Sequence, residues 1–213
     1  GQYFLDVQKE LALSALKDLP KATVLEIGGG HAQLARHLVD EGFQLTVTGS
    51  DETCRKRLDM SCEPGSFEFI SCDSLHLPFQ ENEFEVVMAF RLLPHTNNWQ
   101  GLLGEMCRVA RRRVVFDYPD RRSTNVLYNV LFDLKKNMEG NTRTFTLFSR
   151  KDISRQLEMR GFASTVFRPE FLLPMVVHRK LKSAPVSRTV ESICRMFYLT
   201  KFFGSPIVVH SDA

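Results

Sequence analysis

The stretch Val24-Leu25-Glu26-Ile27-Gly28-Gly29-Gly30-His31-Ala32 constrains this chain more than any other. A short apolar strand runs straight into three glycines, and the amphipathic segment Leu34 to Val39 follows and stops near Gly42. Glycine lets the backbone turn sharply and come close to a ligand, and the first turn of the following helix offers unpaired N–H groups to an anion. A nucleotide-binding α/β protein is the functional reading, and a plain structural turn is the alternative. The dinucleotide fingerprint G-x-G-x-x-G needs its third glycine at position 33, where Gln33 stands, so an NAD site fits poorly.

Alternating helix and strand periods along the rest of the chain predict an α/β fold. Helices are expected at Phe4 to Leu19, ended by Pro20, and around Arg55 to Leu58, with others at Trp99 to Val109, Asn125 to Asn137 and Lys151 to Arg160. Strands are expected at Thr23 to Ile27, Gln44 to Thr48, Phe67 to Ser71, Phe84 to Phe90, Val114 to Tyr118, Ala163 to Arg168 and Pro206 to His210. Phe84 to Phe90 is the near-continuous apolar run of a buried parallel strand. Val186, Val190, Ile193 and Phe197 repeat at helical spacing inside a long insertion between the last two strands. At 213 residues the chain is expected to form a single domain, 1–213, with lid insertions at about 119–149 and 169–204.

Charge is unevenly spread. Residues 1–120 hold 12 Lys and Arg against 18 Asp and Glu, a net of −6, whereas 121–213 hold 16 against 7, a net of +9. Cys54, Cys62, Cys72, Cys107 and Cys194 are scattered with no CxxC pair and no histidine cluster at ligand spacing, so no metal site and no disulfide framework is expected. Reduced thiols and a cytoplasmic setting fit that usage. The first twenty residues do not read as a signal peptide. Because the chain starts at Gly1 rather than Met, a segment upstream of it is expected. The apolar run Phe171 to Val177 falls far short of the ~20 residues that cross a bilayer.

Carboxylates recur where parallel sheets bind ligands, at the carboxyl ends of consecutive strands. Glu26 lies in strand one, Asp51 stands after strand two, and Cys72-Asp73-Ser74 closes strand three ahead of Leu77-Pro78-Phe79. Asp51 suits a ribose diol; a helix N-cap is its bland alternative.

In this order the segments resemble the class I S-adenosylmethionine-dependent methyltransferases, particularly the small-molecule branch of the ubiquinone/menaquinone-biosynthesis type. The matching pieces are Glu26 to Gly30, Asp51, Asp73 with Leu77 to Phe79, Phe84 to Val87, and Glu105 to Val109, covering residues 20–120 well and 144–168 loosely. The resemblance implies a Rossmann-like seven-stranded, mostly parallel sheet with helices on both faces and an antiparallel last strand. It implies S-adenosylmethionine as cofactor and S-adenosylhomocysteine as product. Gly28, Gly29 and Gly30 would hold the methionine moiety, with Glu26 on its ammonium side. Asp51 would take the ribose, Glu52 would flank the adenine, and Cys72, Asp73 and Ser74 would read the adenine edge. Phe90 and Arg91 would sit beside the methionine tail and the transferable methyl. Two departures stand out: Ala32 replaces the third family glycine, and Arg111-Arg112-Arg113 replaces the usual K-P-G-G turn.

Methyl transfer is an in-line displacement that positioning and water exclusion accelerate. An acceptor hydroxyl or protonated amine needs a base, for which His95 is the best-placed candidate, against a surface or packing role; Tyr118 is placed at the crevice edge or in the packing. The two insertions carry net charges of +2 and +4 and apolar residues including Leu127, Leu131, Phe171, Leu172, Met175 and Phe197. They suit a small-molecule acceptor with an apolar body and an acidic group, or equally a lid packed on the sheet with its Lys and Arg in water. Peripheral contact with an anionic membrane through Phe171-Leu172-Leu173 and His178-Arg179-Lys180 is a further reading. Nucleic acid is disfavoured as acceptor, since strand four ends in Ala89-Phe90-Arg91-Leu92-Leu93 rather than D/N-P-P-Y/F. A binding or scaffold protein that has lost activity is the alternative function. A nucleotide-dependent oxidoreductase fits less well, given Gln33 and Asp73-Ser74.

Overall fold

In the computed structural model, which describes residues 2–30, 32–123, 146–173 and 184–213, seven strands form one sheet. They are β1 (Thr23–Ile27), β2 (Gln44–Gly49), β3 (Phe67–Ser71), β4 (Phe84–Ala89), β5 (Ala110–Tyr118), β6 (Ser164–Pro169) and β7 (Ile207–Asp212). Their order is β3-β2-β1-β4-β5-β7-β6. β3, β2, β1, β4 and β5 pair in parallel, and β7 runs antiparallel to both β5 and β6. The Rossmann-like sheet with an antiparallel last strand is therefore present. β7 slots between β5 and β6, and the order reverses at β1, whose neighbours are β2 and β4. Ligands of open α/β sheets bind outside the carboxyl ends of the strands at such a reversal.

The helices are α1 (Gln2–Ser14), α2 (Ala35–Asp40), α3 (Arg55–Ser61), α4 (Trp99–Val109), α5 (Arg150–Glu158), α6 (Ala184–Met196) and α7 (Leu199–Phe203). Alternating strand residues divide the core in two. Leu25, Val87, Val114 and Phe116 pack with Leu102, Leu103 and Met106 of α4 and Ile153 and Leu157 of α5. Val24, Val86, Met88 and Val115 pack on the other face with Ala12 of α1, Ala35 and Leu38 of α2 and Leu58 of α3. Burying each such side chain contributes on the order of 1.5–3 kcal/mol.

Several boundaries differ from the periodicity. α1 ends at Ser14, whose hydroxyl donates to the Leu11 carbonyl at 2.8 Å; the chain reaches Pro20 through tight turns that still bury Leu16 and Leu19. β4 ends at Ala89, one residue before Phe90.

No loop stands where the three arginines replace the family turn, because α4 passes directly into β5, which begins at Ala110. Arg113 anchors the strand that follows. Its buried guanidinium donates to the Ala15 carbonyl at 2.6 Å, to Asp18 Oδ1 at 2.6 Å and to Asp212 Oδ1 at 2.5 Å, tying β5 to the turns after α1 and to β7. Arg111 and Arg112 flank Glu85 at the surface. The expected helix at Asn125 to Asn137, and with it Leu127, Leu131, Met175 and His178-Arg179-Lys180, lies outside the described residues. No helix among the described residues is long and apolar enough to cross a membrane.

Candidate functional site

The glycine turn after β1 is built by close approach. Gly28 has φ +70°, which favours glycine. A Cβ on Gly30 would stand 2.7 Å from Cys54 Cβ, and one on Gly29 would stand 2.6 Å from the Glu26 carboxyl carbon and 2.7 Å from Val47. Only bare backbone fits between β1 and the turn that follows β2. Ala32 takes φ +53°, so the position where the resemblance expects a glycine keeps glycine geometry with an alanine side chain, at a cost of about 1 kcal/mol.

Glu26 lies beneath this turn. Its carboxyl is buried, Oε2 has no hydrogen-bond partner, and burial lifts its pKa to about 8. A buried carboxyl held nearly neutral with an open oxygen accommodates an incoming cationic group.

A cavity of about 600 Å³ opens above the carboxyl ends of β1, β2 and β3. Gly28 and Gly30 line it with Thr53, Cys54, Asp73 and Leu92, and Ser50, Arg57, Cys72 and Ser74 complete its wall. Asp73, exposed, accepts from the Leu75 N–H at 2.9 Å and pairs with His76 Nδ1 at 2.9 Å; these contacts hold its carboxyl below the usual range. Burial raises the Cys72 thiol.

Asp51 is the N-cap of the short 3₁₀ turn Glu52–Cys54. One carboxylate oxygen accepts from the N–H and hydroxyl of Thr53 and the other from the Ser50 hydroxyl, and these bonds lower its pKa. Asp51 thus shapes the segment that supplies Ser50, Thr53 and Cys54 to the cavity wall. Glu52 is exposed on the same turn.

Beyond β4, Phe90 is half-buried against the α1 side of the core. Arg91 takes φ +56°; its guanidinium donates to Gln33 Oε1 at 3.0 Å and its backbone N–H to Asp117 Oδ1 at 2.5 Å. His95 is exposed at the end of the 3₁₀ turn Leu93–His95, three residues past the cavity-lining Leu92. Two readings left open by the sequence fall on the packing side. Tyr118 does not reach the crevice edge: it is fully buried and meets the Phe148 ring edge-on at 5.9 Å, drawn in by the apolar contacts of β5. Phe171 does not project outward either, being clamped between the Tyr3 and Phe4 rings at 5.6 and 5.2 Å.

Sequence reading missed the buried set Gln8, Asp117 and Glu170 at the carboxyl ends of β5 and β6. Burial raises Asp117 to about 6 and lifts Glu170 well above its ordinary value, with the Asp117 charge adding to the effect. A charged residue closing the apolar run Val114-Val115-Phe116 was the available signal for Asp117. Among the described residues no group of three or more His, Cys, Asp or Glu could hold a metal ion.

A doubly wound sheet with a glycine turn and a cavity at its reversal point defines a cofactor-binding protein of the Rossmann-like class. The chain belongs to the methyltransferase domain family, whose sequence profile matches residues 2–165. It is 32% identical over 117 residues to the phthiotriol/phenolphthiotriol dimycocerosates methyltransferase of Mycobacterium tuberculosis, covering 51% of this chain and 41% of that protein. It is 29% identical over 122 residues to the fatty-acid O-methyltransferase of Mycolicibacterium smegmatis, covering 54% and 43%. In both cases the match takes in less than half of the curated relative. In fold it is similar to the magnesium protoporphyrin IX methyltransferase of Synechocystis PCC 6803 with bound SAH, at a TM-score of 0.66 and 16% identity over 99% of this chain and 83% of that one. It is also similar to the 1,6-didemethyltoxoflavin-N1-methyltransferase of Burkholderia thailandensis, at a TM-score of 0.61 and 13% identity over 96% and 76%.

Proposed function

We propose that this chain binds S-adenosylmethionine and transfers its methyl group to a lipophilic small molecule bearing a hydroxyl or carboxylate. The observation that carries the reading is the bare glycine cradle over the buried Glu26 carboxyl, whose Oε2 has no hydrogen-bond partner, opening into a cavity with Asp73 on its wall. That donor set fits the cofactor: an open carboxyl oxygen for the ammonium, and bare backbone at Gly28 to Gly30 for the methionine part. The names of the curated relatives, which point to a lipid and a fatty acid, support the acceptor class. The binding-or-scaffold alternative finds no support in these relatives, both named as enzymes.

When bound, the cofactor supplies an electrophilic methyl on a sulfonium. The chain contributes position and exclusion of water. Arg91, exposed past β4, offers its guanidinium to an acidic acceptor, and Gln33 orients it. A carboxylate acceptor is already deprotonated near neutrality and needs no base, whereas a hydroxyl must lose its proton, the task assigned to His95. Incubation with methyl-labelled cofactor and either a long-chain fatty acid or the matching alcohol separates the two. Labelled ester from the acid that survives His95→Ala fits the carboxylate route. Labelled ether lost in His95→Ala fits the hydroxyl route. No label in either product contradicts the proposal.

A further inference from the structure

Eleven large hydrophobic side chains are exposed among the described residues, and seven of them fall between Ile193 and Phe203. α6 and α7 meet there at Tyr198, whose left-handed backbone (φ +59°) makes a tight corner. Met196, Phe197, Tyr198 and Leu199 stand out from the corner, and Phe202 and Phe203 follow on α7, with Phe197 64% and Phe202 60% exposed. Leaving such rings in water is costly unless something covers them.

Polar groups of this region tie the two helices to the body. The Glu191 carboxylate is fully buried and accepts from the Leu172 and Leu173 N–H groups at 3.0 Å each. Arg195 donates to the Glu170 carbonyl at 3.0 Å, and Arg150 donates to the Lys201 carbonyl at 2.9 Å. The corner is therefore pinned to the body with its aromatic side outward. Glu191 is the sole acid in 184–203, so the exposed charges of the segment, on Arg188, Arg195 and Lys201, are all positive.

We infer that the α6–α7 corner is a docking surface for an anionic lipid bilayer. Exposed aromatic rings flanked by basic side chains suit the boundary between headgroups and acyl chains. A second copy of this chain fits less well, because a two-fold contact would bring Arg188 and Lys201 against their own kind. The same helix α6 is linked to the proposed acceptor side through α1: the Arg188 guanidinium sits 5.7 Å over the Tyr3 ring, and Gln8, also on α1, reaches Asp117 at the end of β5. Docking there would bring a membrane-dissolved acceptor to the site. That purpose rests on the proposed function, whereas the docking itself does not.

The test is flotation of the full chain with vesicles of equimolar phosphatidylcholine and phosphatidylglycerol, and with phosphatidylcholine alone. Binding to the anionic vesicles is expected, weakened by salt, and reduced roughly tenfold for each of Phe197→Ser and Phe202→Ser and about fivefold for Lys201→Glu. Circular dichroism melts of the variants, all at exposed positions, verify that they fold. Absence of vesicle binding at low salt, or binding unchanged in the double phenylalanine variant, overturns the inference. Self-association in sedimentation velocity that the same variants abolish assigns the surface to a second copy and also overturns it. Titration of the same preparation with S-adenosylmethionine keeps the two readings separate. Cofactor binding without vesicle binding removes the docking surface alone, and vesicle binding without cofactor binding removes the proposed function alone.

Discussion

Asp117 at the end of β5 and Glu170 just past β6 are joined through one amide: Gln8 Nε2 donates to Asp117 Oδ2 at 3.1 Å and to Glu170 Oε1 at 3.4 Å. Both carboxyls are buried, and the other oxygen of Asp117 holds the Arg91 N–H. α1, the loop after β4 and the ends of two strands are thus fastened at one polar point beside the site.

This pair makes stability depend on pH. Folding raises Asp117 from its ordinary carboxyl range to about 6, so the folded chain binds more protons than the unfolded one over that interval. Stability is then full below about pH 4 as far as Asp117 is concerned, and about 3 kcal/mol is lost as pH rises through 6. Asp117→Asn keeps the acceptor for Arg91 and removes the titration. Urea unfolding from pH 4.5 to about 7.5 is expected to show a shallower decline in Asp117→Asn than in the wild type; parallel curves would contradict the assignment.

Glu26 gives a second pH signature. With its pKa near 8 it is mostly protonated at neutral pH, and a bound ammonium would favour its charged form. Cofactor binding at pH 7 is expected to release about one proton, measured by calorimetry in buffers of different ionisation enthalpy. Glu26→Gln should bind more weakly and release none. Equal proton release by both would remove Glu26 from the ammonium side.

The Arg113 clamp ties β5 to the turns after α1 and to β7. Arg113→Met leaves the partly exposed Asp18 and Asp212 to water and loses three charge-assisted hydrogen-bond partners, which is expected to cost about 2 kcal/mol and lower Tm by roughly 4–8 °C. Arg112→Met, whose side chain meets Glu85 at the surface, should change Tm by under about 1 °C. Similar losses in thermal melts of the two variants would show that the clamp adds nothing.

The strands were legible because a buried parallel strand must be mostly apolar on both faces, and Val24 to Ile27 and Phe84 to Ala89 are, with Glu26 and Glu85 as the exceptions. The glycine cradle was legible because close approach admits no side chain, and Ala32 at φ +53° keeps glycine geometry next to it without the residue. The insertion of β7 between β5 and β6 was not, since strand order depends on contacts distant in the chain. Nor were the roles of Tyr118 and Phe171, two aromatic residues beside the ligand edge whose burial is set by Phe148, Tyr3 and Phe4. Gln8 and Glu170 stayed hidden because they acquire meaning only when α1 and the end of β6 converge on Asp117.

Direct binding tests the S-adenosylmethionine pocket most plainly. Calorimetric titration of the full chain with S-adenosylmethionine, S-adenosylhomocysteine and NAD should give micromolar affinity for the first two and none for the third. Asp51→Ala, which releases the Ser50–Thr53 wall, and Gly30→Val, which drives a side chain into Cys54, should each abolish it. Failure of both sulfur ligands to bind the wild type, or a preference for NAD, would contradict the account.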